Sequence, residues 1–284
     1  MFSKEKIEKF KQKEYFHKLF SNRTCIDYWE SVYNRQDFLG VCYRKRMGQA
    51  LSWLDNTNLS KSSKILDVGC GAGMMAKEVA NIGYEIFGMD YSYNMAKKAK
   101  ASCNVNTKSD AKFLQGDIES LPFKASIFDT VLCLGVITYL KSEQKALHEM
   151  ARVLKPGGTL ILSTLNKFSL AKCLDISILV RRRLQRMMGN RIVSSKKKTE
   201  VEKNNLALKS YFIPSLRNSL KIAGFTESGY APLQYGPFTF FGRKLFAEPI
   251  NININNFLEK FSNIPIIRSL GNMCLFKLRK VGGK

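Results

Sequence analysis

The run Ile65-Leu66-Asp67-Val68-Gly69-Cys70-Gly71-Ala72-Gly73 holds the first residues whose types and spacing can do chemistry. An apolar stretch ends in three glycines at alternate positions and passes directly into the helical pattern Met74, Met75, Val79, Ala80, so it reads as strand, tight turn and helix. A turn without Cβ atoms lets a ligand lie against bare backbone, and positive φ carries no penalty there. Asp90 closes a second short apolar run, at the distance where a nucleotide-binding βαβ unit places the carboxylate that meets a ribose. A carboxylate only accepts hydrogen bonds, which matches two neighbouring hydroxyl donors. Asp117 follows a third run. For one Asp alone, capping the next helix explains its position equally well. Two carboxylates at successive strand ends, behind a glycine turn, favour a ligand.

The elements that must position these groups alternate regularly from Lys64. The pattern predicts strands over 64–69, 85–90, 111–115, 127–133 and 158–164, with helices over 73–82, 93–103 and 141–153. Such alternation means a mostly parallel sheet with helices on both faces. Lys155-Pro156-Gly157-Gly158 reads as a helix stop followed by a turn. A helix over 211–223, a strand from Phe225 to Tyr230 and a last strand near Cys274 to Leu278 bring the expected count to seven strands.

Asp67-Val68-Gly69-Cys70-Gly71-Ala72-Gly73, the acidic Asp90, Gly116-Asp117-Ile118 with Leu121-Pro122-Phe123 after it, and Arg152 to Gly158 resemble, in order and spacing, the motifs of the class I S-adenosylmethionine-dependent methyltransferases. The resemblance covers roughly residues 60 to 166. A dinucleotide dehydrogenase would more usually show G-x-G-x-x-G, whereas here the spacing is G-x-G-x-G with Met74 next. The resemblance implies a Rossmann-like α/β fold and S-adenosylmethionine as cofactor. It places Asp67, Gly69 and Gly71 at the amino-acid end of that cofactor, with Gly73 permitting close helix packing. Asp90 would accept both ribose hydroxyls, with Ser92 and Met95 flanking ribose and adenine. Asp117 would accept from the adenine amine, Ile118 would lie on the ring face, and Leu134 to Val136 would reach the methionine portion. It also implies that the N-terminal segment closes over the cofactor, making Tyr28, Trp29, Tyr33, Tyr43 and Arg46 candidate pocket residues.

No general base stands out. His17 and His148 sit in helical patterns, and where many relatives carry His or Glu after the fourth strand this chain reads Val136-Ile137-Thr138-Tyr139. Thr138, Tyr139 and Asn166 fall at the mouth of the sheet, where they could orient a substrate. No clustered carboxylate and histidine set predicts a metal.

At 284 residues the chain suits one domain with additions: an N-terminal helical cap over 1–60 and a cofactor-binding domain over 61–284, with insertions near 167–209 and 232–272. Seven scattered cysteines without a C-x-x-C pair imply neither zinc nor disulfides and fit a reduced, cytoplasmic setting. The first residues lack a signal sequence, and no run is long enough to span a bilayer. The net charge of +23 raises an anionic partner, nucleic acid or membrane. Between Phe168 and Lys198 an apolar block runs into Arg181-Arg182-Arg183, Arg186, Arg191 and Lys196-Lys197-Lys198. As a helix over Phe168 to Arg186 it would present an apolar stripe with a basic end, suited to an anionic membrane surface, with Phe238, Phe240 and Phe241 adding to that surface. A solvated lid explains the same charges equally well. The expectation is methyl transfer to a small-molecule acceptor, including lipid-soluble ones such as a quinone, isoprenoid or lipid-linked sugar. The rivals are an RNA methyltransferase and a non-catalytic cofactor-binding regulator.

Overall fold

The computed structural model describes residues 19–57, 59–103, 109, 111–175, 208–240 and 243–282. The amphipathic helix expected within residues 1–20 and the basic run from Arg181 to Lys198 lie outside them, Leu19 and Phe20 excepted.

Ahead of the first strand the described residues include the helices α1 (Arg23–Ser31) and α2 (Phe38–Asp55). Both open on side-chain caps: Asn22 accepts from the Thr24 N–H, and Asp37 from the Gly40 N–H. Then follow β1 (Lys64–Val68), α3 (Met74–Ile82), β2 (Glu85–Asp90), α4 (Tyr93–Cys103), β3 (Ala111–Gln115), β4 (Phe128–Leu134), α5 (Gln144–Val153) and β5 (Leu154–Asn166). The remainder is α6 (Leu170–Leu174), β6 (Ser210–Tyr211), α7 (Ile213–Ile222), β7 (Phe225–Gln234), the small hairpin β8 (Thr239–Phe240) and β9 (Arg243–Lys244), α8 (Glu248–Lys260), α9 (Pro265–Ser269) and β10 (Met273–Lys280).

The main sheet runs β3-β2-β1-β4-β5-β10-β7, with the two-residue β6 pairing the end of β5. Every pairing is parallel except those of β10, which lies antiparallel between β5 and β7. The seven strands of this path are the seven the sequence predicts, and β6 is an addition to them. The chain winds outward from β1 through β2 to β3 and then returns to the other side of β1, so strand order reverses between β1 and β4. Crevices at the carboxyl ends of strands beside such a reversal are where open α/β sheets take ligands.

Successive β1 residues point to opposite faces, as a pleated strand requires. Leu66 and Val68 join a core layer with Leu147 and Met150 of α5 and Leu216 of α7. Ile65 joins the other layer, with Val79 of α3 and Leu54 of α2. Because Ala50 and Leu54 are fully buried in that second layer, α2 is built into the core of the domain.

Two stretches differ from expectation. Lys155-Pro156-Gly157-Gly158 is not a separate turn: α5 ends at Val153, β5 begins at Leu154, and the pairing with β4 skips from Leu154 to Thr159. The stretch is a bulge, where proline's missing N–H interrupts no ladder bond. The segment after β7, for which the sequence predicts an insertion and no helix, carries the 13-residue α8 and the shorter α9.

Candidate functional site

The turn after β1 is held from below by β2. The N–H groups of Gly69 and Cys70 both donate to the Met89 carbonyl, at 2.7 and 3.1 Å. Asp90 then grips the turn from its side: Oδ2 accepts from the Gly71 N–H at 3.0 Å and Oδ1 from the Ser92 N–H at 2.9 Å. The glycines have distinct reasons to be glycine. A Cβ on Gly69 (φ +72°) would stand 2.3 Å from Val136 Cγ2, and one on Gly73 would stand 2.8 Å from Ala99 Cα, where α3 and α4 meet. A Cβ on Gly71 (φ +53°) would meet nothing within 4 Å. Gly71 therefore faces open space, and that space is a cleft of about 350 Å³ along the carboxyl edge of the sheet.

Asp67, from the end of β1, lines this cleft and is 3 % exposed, with no partner for Oδ2. Burial, and secondarily the charge of Asp90, push its carboxyl up to about 7, against the pull of Arg46. Burial likewise raises Asp90, against its backbone hydrogen bonds. Arg46 reaches the cleft from α2 and is 5 % exposed. Its Nη2 donates to the Tyr33 hydroxyl at 3.2 Å, its guanidinium lies 4.4 Å from the Tyr43 ring centroid, and Nε has no partner. Among the described residues Arg46 forms no ion pair. Its head fills the place a side chain at position 135 would take, since a Cβ on Gly135 would lie 2.8 Å from Nη1. A buried guanidinium without a carboxylate, beside a buried carboxyl with an unused oxygen, is costly unless something else completes both.

Aromatic rings form the opposite wall. Phe20 meets Tyr139 edge to face at 5.4 Å, and Trp29 and Tyr33 both pack on Tyr43 at 5.6 and 5.7 Å. Burial raises the phenols of Tyr43, to about 12, and of Tyr139.

Of the residues singled out from sequence, Asp67, Gly69, Gly71, Asp90, Met95 and Leu134 line the cleft, and so do Tyr33, Arg46, Thr138 and Tyr139. Others stand apart from its lining. Ser92 caps α4 through the Met95 N–H and donates to the Phe20 carbonyl. Asp117 accepts from the Glu119 N–H, and Ile118 belongs to the core layer under α5. Tyr28 packs edge to face on Trp29. Asn166 is 2 % exposed, and its amide donates to the carbonyls of Phe168, Ser269 and Gly271, tying the end of β5 to the α9 loop. Sequence reasoning missed Ser163, Thr164, Gln234 and Asn272, which extend the cleft across the ends of β5, β7 and β10. The hydroxyls of Ser163 and Thr164 and the Asn272 Oδ1 are buried without a partner. The signal for them is position alone: each falls at the edge of the sheet that carries Asp67.

Residues 66–162 match the family model described as a methyltransferase domain. Among curated relatives, a demethylmenaquinone methyltransferase from Renibacterium salmoninarum is 32 % identical over 121 residues, 41 % of this chain and 49 % of that protein. A ubiquinone biosynthesis O-methyltransferase from Paracidovorax citrulli is 29 % identical over 127 residues, 44 % of this chain and 53 % of its own. The chain thus spans about half the length of the curated relatives it matches. Among solved structures, magnesium protoporphyrin IX methyltransferase from Synechocystis PCC 6803 with bound SAH superposes with a TM-score of 0.63 at 17 % identity, covering 95 % of this chain and 99 % of that one. The N-methyltransferase NodS from Bradyrhizobium japonicum WM9, in complex with S-adenosylhomocysteine, gives 0.56 at 15 % identity over 95 % and 98 %. The architecture is that of the Rossmann-like methyltransferases. Over residues 66–162 the chain matches a methyltransferase-domain model, and its fold is that of solved S-adenosylmethionine-dependent methyltransferases.

Proposed function

We propose that the chain transfers a methyl group from S-adenosylmethionine to a small, lipid-soluble acceptor. The observation that carries this reading is the pair of buried, incompletely partnered opposite charges beside the glycine turn. Asp67 Oδ2 and Arg46 Nε fit the ammonium and carboxylate of an amino-acid group, and a ligand bearing both completes two groups that burial otherwise penalises. Gly69 and Gly71 let the ligand approach the backbone. Asp90 retains acceptor capacity beyond its two backbone bonds and would take ribose hydroxyls, with Met95 beside the adenine. In the same reading Asp117 and Ile118 would reach the adenine, and Ser92 the ribose.

Bound there, the cofactor supplies a methyl group on a sulfonium already activated by its own charge. The protein aligns the acceptor and excludes water, work that can supply roughly 7 to 11 kcal/mol of the barrier. Tyr33, Thr138 and Tyr139 orient the acceptor, and the aromatic wall with Leu39 and Leu208 gives it an apolar environment. A quinone, an isoprenoid or a lipid-linked sugar fits that class, and the names of the quinone-biosynthesis relatives support it. The domain organisation that goes with this reading is a helical cap over 1–60 on the domain at 61–284, with its α2 part fixed in that domain's core. Attachment to the inner face of a membrane would follow from the +23 charge.

The test is incubation of the protein with methyl-labelled S-adenosylmethionine and fractionated cell extract. Label in the organic-extractable lipids is the expected result. Label in RNA, lost at moderate salt, would make the protein an RNA methyltransferase. Tight cofactor binding with label in no fraction would make it a regulator.

A further inference from the structure

The helix α8 buries two asparagines beside Ile254 and Leu258 and leaves two large apolar side chains exposed. Its inward stripe contains Asn251 and Asn255, 0 % and 1 % exposed. Both serve the backbone after β7: Asn255 Oδ1 accepts from the Tyr235 N–H at 2.8 Å, and Asn251 Oδ1 from the Phe238 N–H at 3.3 Å. Their amide groups donate to Glu259 Oε1 and to the Phe246 carbonyl. The outward stripe is largely apolar, interrupted by the exposed Asn253 and Lys260. Ile250, Phe257 and Phe261 recur at helical spacing, with Phe257 59 % exposed and its ring 5.0 Å from that of Phe261. Ile264 and Ile266 continue the ridge into α9, Ile266 at 72 % exposure, and Leu245 and Phe246 begin it. Phe238, expected on a membrane surface, is instead buried behind α8, at 5 %. A ridge that exposes Ile250, Phe257, Phe261, Ile264 and Ile266 together is not arranged for water alone.

The chemistry around the ridge selects what covers it. Arg243, Lys244, Lys260 and Arg268 are exposed along it. The two acidic residues of the same segment, Glu248 and Glu259, are paired with Lys244 and Lys45. The ridge thus has a basic rim on a chain of net charge +23. Its segment leaves the sheet at Gln234 and returns at Asn272, both of which line the cleft. We infer that the α8–α9 ridge is a membrane-docking surface, inserting its phenylalanines and isoleucines at the headgroup boundary of an anionic bilayer and bringing the cleft to a lipid-borne acceptor. The inference rests on the lipid-soluble acceptor of the proposed function, and its test separates the two.

The full chain is sedimented at low salt with vesicles of phosphatidylcholine alone and of phosphatidylcholine mixed equally with phosphatidylglycerol. The wild type pellets with the anionic vesicles. Phe257→Glu/Ile266→Glu weakens that binding by at least about tenfold, through lost apolar insertion and added repulsion. Ile222→Glu/Val281→Glu, the same charge change at exposed apolar positions near the opposite edge of the sheet, leaves it unchanged. Calorimetry with S-adenosylhomocysteine on each variant reports folding and the cofactor site separately, so a failed vesicle assay leaves the methyl-transfer reading standing. The inference is overturned if the wild type stays in the supernatant with both vesicles, or if the ridge variant pellets like the wild type. It is equally overturned if sedimentation velocity shows a dimer that the ridge substitutions split while vesicle binding persists, for then a second copy covers the ridge.

Discussion

Replacing Asp67 by Asn keeps its shape and removes its charge, and the structure fixes the direction of the effect. The carboxyl is moved by burial from 3.8 to about 7, which penalises its ionised form by about 4 kcal/mol. Between those two values the native state binds a proton that the unfolded chain has released. Stability of the ligand-free protein therefore falls as pH rises through this window and levels off above about 7. Asp67→Asn escapes that penalty. At pH 8 the variant should melt higher than the wild type by on the order of 10 °C, and the gap should nearly close at pH 4. Differential scanning calorimetry of both proteins across that range measures it. In the opposite sense, the variant should bind S-adenosylhomocysteine about 10- to 150-fold more weakly at pH 8, because a charged hydrogen bond to the ligand's ammonium is lost. A melting difference independent of pH would refute the assignment of a buried, incompletely partnered carboxyl. A variant that is stabilised yet binds at full strength would refute the role given to that carboxyl in cofactor recognition.

Two further substitutions separate the parts of the site. Asp90→Ala removes the acceptor for the Gly71 and Ser92 N–H groups as well as for the ribose, so titration calorimetry should show S-adenosylhomocysteine affinity reduced by about 1.5 to 3 kcal/mol, and wild-type affinity would remove the basis of the cofactor assignment. Gly71→Ala meets no neighbour and should cost only about 1 to 2 kcal/mol of stability for its positive φ while abolishing measurable cofactor binding. Gly69→Ala drives its Cβ into Val136, so thermal melting should show a clearly larger loss there, and equal melting of the two variants would contradict the turn geometry.

The parts of this protein legible in its sequence are those fixed by neighbours in the chain. Strands buried on both faces read as continuous apolar runs, and the glycine turn with Asp67 and Asp90 declares itself through spacing. The bulge at Pro156 was hidden because proline followed by two glycines breaks a helix as readily as it interrupts a strand. Arg46 could be named as a candidate, but the reason it matters could not. The aromatic wall around it, and its lack of an ion partner among the described residues, exist only once α2 packs on β7 and β10 and carries Arg46 to Gly135 beyond β4.

The segment after β7 resisted reading for a different reason, and that reason bears on function. Ile250-Asn251-Ile252-Asn253-Ile254-Asn255 alternates with period two, the pattern of a strand, and both residue types are poor helix formers. The chain is nevertheless helical from Glu248 to Lys260, with Pro249 in its first turn. Local preference is overruled by contacts that are distant in sequence: Asn251 and Asn255, four apart, satisfy the backbone at Phe238 and Tyr235, while Lys45 of α2 bonds both Asn256 and Glu259. Turning the asparagines inward leaves Ile250 and Phe257 no place but the outside. The two buried asparagines and the exposed Ile250 and Phe257 are thus two results of one constraint, and the ridge is as firmly built as the hydrogen bonds behind it.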